Sequence, residues 1–141
     1  MQPTGRSRHL LFAMAVTAAA FLSGCAGMGL SAPEKPQSFK EADAVTMAIA
    51  KEVVNQADIL QLAGKIKPAD TRKVVADTDE VRDGVLTARR FVTTEPATAA
   101  AKVDVALKLI REIRDRLAAR GGTFTRDAVL LEQVRRQSAP S

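Results

Sequence analysis

The chain has 141 residues, 46% apolar and 26% charged, with 21 basic against 16 acidic side chains for a formal +5. That composition suits one globular domain. With no Trp, no Tyr, one His and one Cys, it excludes a disulfide framework and a Cys/His metal site, because each needs several such residues.

Arg6 and Arg8 charge the start, and Leu10 to Leu22 then runs apolar apart from Thr17. This is the pattern of an export signal over residues 1–24. As a helix the run rises about 20 Å at 1.5 Å per residue, short of the roughly 30 Å hydrocarbon core of a bilayer. It reads as a removable leader rather than a permanent span.

Leu22-Ser23-Gly24-Cys25 follows, an aliphatic residue and two small ones before a Cys. The four residues resemble the lipobox of bacterial lipoproteins. The resemblance covers only the leader and this motif, and says nothing about the rest of the chain. It implies a diacylglyceryl thioether on Cys25, cleavage between Gly24 and Cys25, and acylation of the new amino terminus by a fatty acid such as palmitate. The thiol is the best nucleophile in the stretch, and small neighbours let a peptidase close around it. Several acyl chains, at about 0.8 kcal/mol per buried CH₂, make a stable anchor where one chain would not. The other readings are a buried structural Cys, or cleavage after Ala18, Ala19 and Ala20 that leaves a free thiol. Lipoproteins kept on the inner membrane typically carry Asp after the Cys, whereas Ala26 stands here. By that family rule, in a Gram-negative host, the expected address is the periplasmic face of the outer membrane rather than the inner membrane. Loss of Arg6 and Arg8 with the leader lowers the formal charge from +5 to +3.

Residues 25–37 comprise the lipidated Cys and a tether holding Gly27, Gly29, Pro33 and Pro36, with no helical stripe. Ser38-Phe39-Lys40-Glu41 then matches the capping box that opens a helix. Ala42, Val45, Ile49, Val53, Ala57 and Leu60 recur at steps of three or four until Gly64 supplies a stop. Pro68 starts a second helix at its first turn, with Asp70 at the positive end of its dipole. The second stripe is Thr71, Val74, Thr78, Val81, Val85, Ala88 and Val92. The third helix begins around Thr94-Glu95-Pro96, with the stripe Ala99, Val103, Ala106, Ile110, Ile113 and Leu117, and Gly121-Gly122 stops it.

Three helices of similar length joined by short links run antiparallel to their sequence neighbours. The expected fold is all-α: an up-down-up antiparallel three-helix bundle over 38–122 with left-handed, coiled-coil-like packing. A short C-terminal helix and tail occupy 123–141, the helix starting near Thr125 with Phe124, Ala128, Leu131 and Val134 on one side. Such a short helix must borrow stability from a surface, either the bundle itself or a partner. Phe124, Leu131 and Val134 are the candidate partner surface. The stripes are mostly Val and Ala, so the core is thin, and modest monomer stability raised by self-association is expected.

Sites for chemistry are few. The lone His precedes Cys25, and Ser31, Ser38 and Ser138 lie in a tether, a cap and a tail, so nucleophile–base catalysis lacks its base. Asp77, Asp79, Glu80 and Asp83 form the densest acidic group, but Val81 interrupts the spacing of a Ca²⁺ loop and Gly84 comes too late. A structural role suits them better. A hairpin turning near residues 93 and 94 sets Asp79 beside Lys108 and Arg72 beside Asp115. Within the third helix Arg111 with Asp115, and Glu112 with Arg116, are i,i+4 pairs. An enzyme using only Asp79 and Asp83 would need both to face a cleft. Nucleic acid is not an expected partner, since no aromatic residues interleave the basic ones. Arg120, Arg126, Arg135 and Arg136 could attract anionic headgroups.

The sequence therefore points to a lipid-anchored, non-catalytic envelope accessory that needs no cofactor or metal. Its partners would be the bilayer through Cys25 and an unidentified envelope protein or a second copy. The competing readings are a helical-bundle carrier or sensor of an apolar ligand, and a phage-derived envelope lipoprotein.

Overall fold

A computed structural model describes residues 35–139. The expectations for the leader and for Gly24 and Cys25 lie outside the described residues, as does most of the tether. The described residues are all-helical: α1 (Phe39–Leu62), α2 (Pro68–Phe91), α3 (Pro96–Ala118) and α4 (Asp127–Ser138). Helices α1, α2 and α3 pack on one another, and α4 packs on α1.

The helix ends follow from local chemistry. Ser38 Oγ accepts from the Glu41 N–H at 3.2 Å, as a capping serine should. The returning bond of the expected capping box goes elsewhere: Glu41 Oε2 accepts from the Gln37 N–H at 2.8 Å, one residue before Ser38. Pro68 opens α2, and the Lys67 N–H donates to Asp70 Oδ2 at 3.1 Å. At the end of α1, Gly64 adopts φ +69°, with the Gly64 N–H on the Gln61 carbonyl (2.9 Å) and the Lys65 N–H on the Leu60 carbonyl (2.8 Å). These paired bonds make a Schellman motif, which needs a left-handed residue that glycine adopts without strain. The same motif closes α3, with Gly121 at φ +92°, its N–H on the Ala118 carbonyl and the Gly122 N–H on the Leu117 carbonyl.

The core holds the expected stripes of α1 and α3 and most of that of α2, where Val74 is half-buried, together with the unmarked Thr46, Ala50, Leu107 and Leu130. Val45, Ile49 and Val53 of α1 meet Val81 and Val85 of α2 and Val103, Ile110 and Ile113 of α3, all buried. Ile66, between α1 and α2, is buried with them. Two buried threonines are satisfied within their own helices: Thr46 Oγ1 donates to the Ala42 carbonyl at 2.6 Å and Thr78 Oγ1 to the Val74 carbonyl at 2.7 Å. Val92, expected in the α2 stripe, is exposed because α2 ends at Phe91 and the chain there begins its turn.

Candidate functional site

The C-terminal segment lies back along α1. The Thr123 N–H donates to Gln56 Oε1 at 3.1 Å, and the Thr125 N–H donates to Glu52 Oε2 at 3.2 Å while its hydroxyl donates to Glu52 Oε1. Farther along, Arg135 Nε lies 3.1 Å from Glu41 Oε1. The partners on α1 step backward from Gln56 to Glu41 as the chain moves forward, so α4 is antiparallel to α1.

Helix α4 starts at Asp127 rather than near Thr125, and its inward residues are Asp127, Leu130 and Leu131. Ala128, expected inside, is exposed. The reason is electrostatic. Asp127 is drawn against α3, where Arg111 Nη2 lies 2.7 Å from its Oδ2 and Arg114 Nη1 bonds its Oδ1. That turns the 127/130/131 side inward. Leu131 is 0% exposed, and Phe124 and Val134 pack against the core. The three residues that sequence reading offered as a partner surface are thus occupied by the chain's own bundle. Two cationic side chains around one anion, with the carboxylate 7% exposed, make this the most buried ionic cluster among the described residues. It locks α4; nothing in it is arranged as a nucleophile or a general base.

The acidic group of α2 is divided among tasks. Asp77 holds Lys73 at 2.9 Å and Arg116 at 3.9 Å, and Asp79 meets Arg82 at 3.4 Å. Asp79 is not beside Lys108, nor Arg72 beside Asp115. Across the hairpin Asp77 meets Arg116, and Asp70 meets Arg120 at 3.7 Å, where even register would have paired them with positions 110 and 117. Each side chain leans toward the N-terminus of its own helix, so in an antiparallel pair the two lean past each other. The long Arg side chains reach back along α3, and the acids reach away from the turn. The i,i+4 pairs expected in α3 do not form either. Arg111 goes to Asp127 and Arg116 to Asp77, while Asp115 contacts Arg114 at 3.4 Å. No group of three or more His, Cys, Asp or Glu is placed to hold a metal among the described residues.

The four arginines considered for polyanion attraction do not share a patch. Arg120 lies by Asp70 at one end of the bundle, while Arg135 lies by Glu41 at the other, most of the length of α1 away. Arg136 pairs with Glu132 at 2.9 Å.

An open, largely apolar groove lies elsewhere, between the outer sides of α2 and α3. Its floor is Val81 and Ala106. The α3 wall presents Val105, 60% exposed, and Leu109, 43% exposed. On the α2 wall Gly84 leaves a gap, since a Cβ built there meets nothing within 4 Å. Glu80 and Asp83 edge the α2 wall, and Lys102 edges the α3 wall with its Nζ 5.9 Å from the centre of the Phe91 ring. Large aliphatic side chains are left in water here, as they are at Ile59 and Leu62 on α1. Sequence reading missed it because Val105 and Leu109 fall between the core positions Val103, Ala106 and Ile110 and drop out of a one-stripe pattern. A second, offset apolar stripe on α3 was the available signal. No helix among the described residues is long and apolar enough to cross a membrane. Comparison of the chain with protein-family models, with curated proteins and with solved structures gives no match.

Proposed function

We propose that this chain is a lipoprotein held at the periplasmic face of an outer membrane through acylated Cys25, and that its helical unit works by contact rather than by catalysis. The anchor rests on the resemblance of Leu22-Ser23-Gly24-Cys25 to a lipobox behind a basic start and an apolar run. The contact role rests on one observation above all, the apolar groove where Val105 and Leu109 stand in solvent while α4 covers α1. The up-down-up order with left-handed, coiled-coil-like packing completes this reading. It is supported by helices of 24, 24 and 23 residues and by the antiparallel pairing of Arg89 with Asp43 at 2.7 Å.

The test is metabolic labelling with a radioactive or clickable fatty acid. The parent chain should carry the label and fractionate with membranes, and Cys25→Ser should lose both properties. A mature chain without acyl groups would remove the anchor from the account.

A further inference from the structure

We infer that α4 is a detachable strap: the trough between α1 and α3 is a docking site for an amphipathic helix, and the chain fills it with its own α4. The inference goes beyond the contact reading above and uses neither the anchor nor the groove between α2 and α3.

The trough has a definite chemistry. On α1, Glu41, Val45, Ala48, Glu52 and Gln56 follow one another at steps of three or four and so share a face. Glu41, Glu52 and Gln56 each bond the C-terminal segment, so this is the face on which α4 lies. On α3, Leu107, Arg111 and Arg114 share a face by the same rule, and both arginines meet Asp127. The floor is apolar, with Val45 and Leu107 buried and Ala48 half-buried. The α1 rim is acidic and the α3 rim is basic. A helix that fits carries an acid toward α3 in its first turn, an apolar pair one turn on, and a cation toward α1 after a further turn. Asp127, the pair Leu130-Leu131 and Arg135 meet those demands. Reversed, the same helix would bring its acid to Glu41 and its cation to the two arginines, like charge against like, so the rims also fix its direction.

Three features make the strap separable. Among the described residues, Leu130 and Leu131 are the buried apolar side chains that α4 supplies, while Val53, Val81, Val85 and Ile113 come from α1, α2 and α3, which pack on one another without it. Residues 122–126, after the left-handed Gly121, belong to no helix, and close backbone packing ties α4 to α1 alone. With 12 residues and no side-chain bond from its N-cap Arg126, α4 is too short to persist undocked. Its helix and its docking are therefore made and lost together, which makes the opening that of one unit.

The experiment takes two readings on the full chain in detergent solution. In native-state amide exchange of the parent at low urea, α4 should exchange through one shared opening, about tenfold or more faster than the slowest amides of α1 and α3. A fluorescein-labelled peptide of residues 122–141 is then titrated, by anisotropy, against the parent and against Leu131→Ala, a substitution that weakens the strap and leaves the trough intact. The peptide should bind the variant about thirtyfold or more tightly than the parent, because a strap that closes the site lowers apparent affinity by the open fraction. The same peptide carrying Asp127→Lys should bind about tenfold or more weakly, its cation now set against Arg111 and Arg114. Exchange of α4 only with global unfolding would overturn the inference, as would equal peptide affinity for parent and variant, or binding indifferent to Asp127→Lys. Absence of peptide binding to a Leu131→Ala chain whose circular dichroism stays helical would overturn it too. The exchange reading uses the parent alone, so it decides the matter even if the variant fails to fold.

Discussion

Arg111 Nη2 lies 2.7 Å from Asp127 Oδ2, so the first turn of α4 is held by charge to a helix with which it makes no close backbone packing. Removing the anion takes from Arg111 its carboxylate and leaves Arg114 with Asp115 at 3.4 Å. Breaking a buried pair costs about 3–5 kcal/mol, and the partial exposure of both guanidinium groups reduces the expected loss for Asp127→Ala to about 2–3 kcal/mol. Urea titration followed by circular dichroism measures it. Arg111→Ala should cost less, because Arg114 still neutralises the carboxylate.

Leu131 is the largest fully buried side chain of α4. Leu131→Ala is expected to destabilise by about 2–4 kcal/mol, the range for truncating a buried leucine. The loss should be local. Amide exchange of α4 should accelerate far more than that of α1 to α3, since the backbone of α4 packs closely on α1 alone. Equal acceleration in all four helices would show that α4 is an integral part of the core.

Acid should act on the Glu41 contact. The Arg135 side chain, and after it the Gln37 N–H, hold the Glu41 carboxyl below its ordinary value, against a smaller opposing effect of burial. The folded value lies below the unfolded one, so this stabilisation is complete above the ordinary glutamate range and is lost as pH falls through the folded value. Melting temperatures of the parent and Glu41→Gln should therefore differ near neutral pH and converge in acid. Arg89 is shifted upward by Asp43, and that contribution is complete below the ordinary arginine range, so it adds no slope near neutral pH.

Glycine substitutions should separate two uses of the residue. Gly121 stands at φ +92° with Lys65 Nζ 2.7 Å from a built Cβ, so Gly121→Ala is expected to destabilise by about 1 kcal/mol. Gly84 lies in a helix interior with open space beside it, so Gly84→Ala is expected to stabilise the monomer by about 0.5–1 kcal/mol. A higher melting temperature for Gly84→Ala and a lower one for Gly121→Ala are the expected results, read by calorimetry.

Much of the fold was legible because its determinants are local. Ser38, Gly64, Pro68, Pro96 and Gly121 set the ends of three helices by backbone chemistry, and the spacing of Val and Ala set their inner faces. What depended on three dimensions was not legible. Arg111 reads as a solvated partner for Asp115 until α4 brings Asp127 to it. Side-chain lean moved every expected pair across the α2–α3 hairpin. The groove escaped notice because Val105 and Leu109 form an outer stripe, visible only once the packing of α2 against α3 is known.

The most direct test of the account places a photo-crosslinking amino acid at position 105 of the full chain in its own envelope, with position 62 as the control. Leu62 is more exposed than Val105 but lies on α1, outside the groove. The account predicts a discrete protein adduct from position 105, none from position 62, and loss of the membrane-associated adduct in Cys25→Ser. Equal labelling from both positions, or no adduct from position 105 while the protein is present in the membrane fraction, would contradict it.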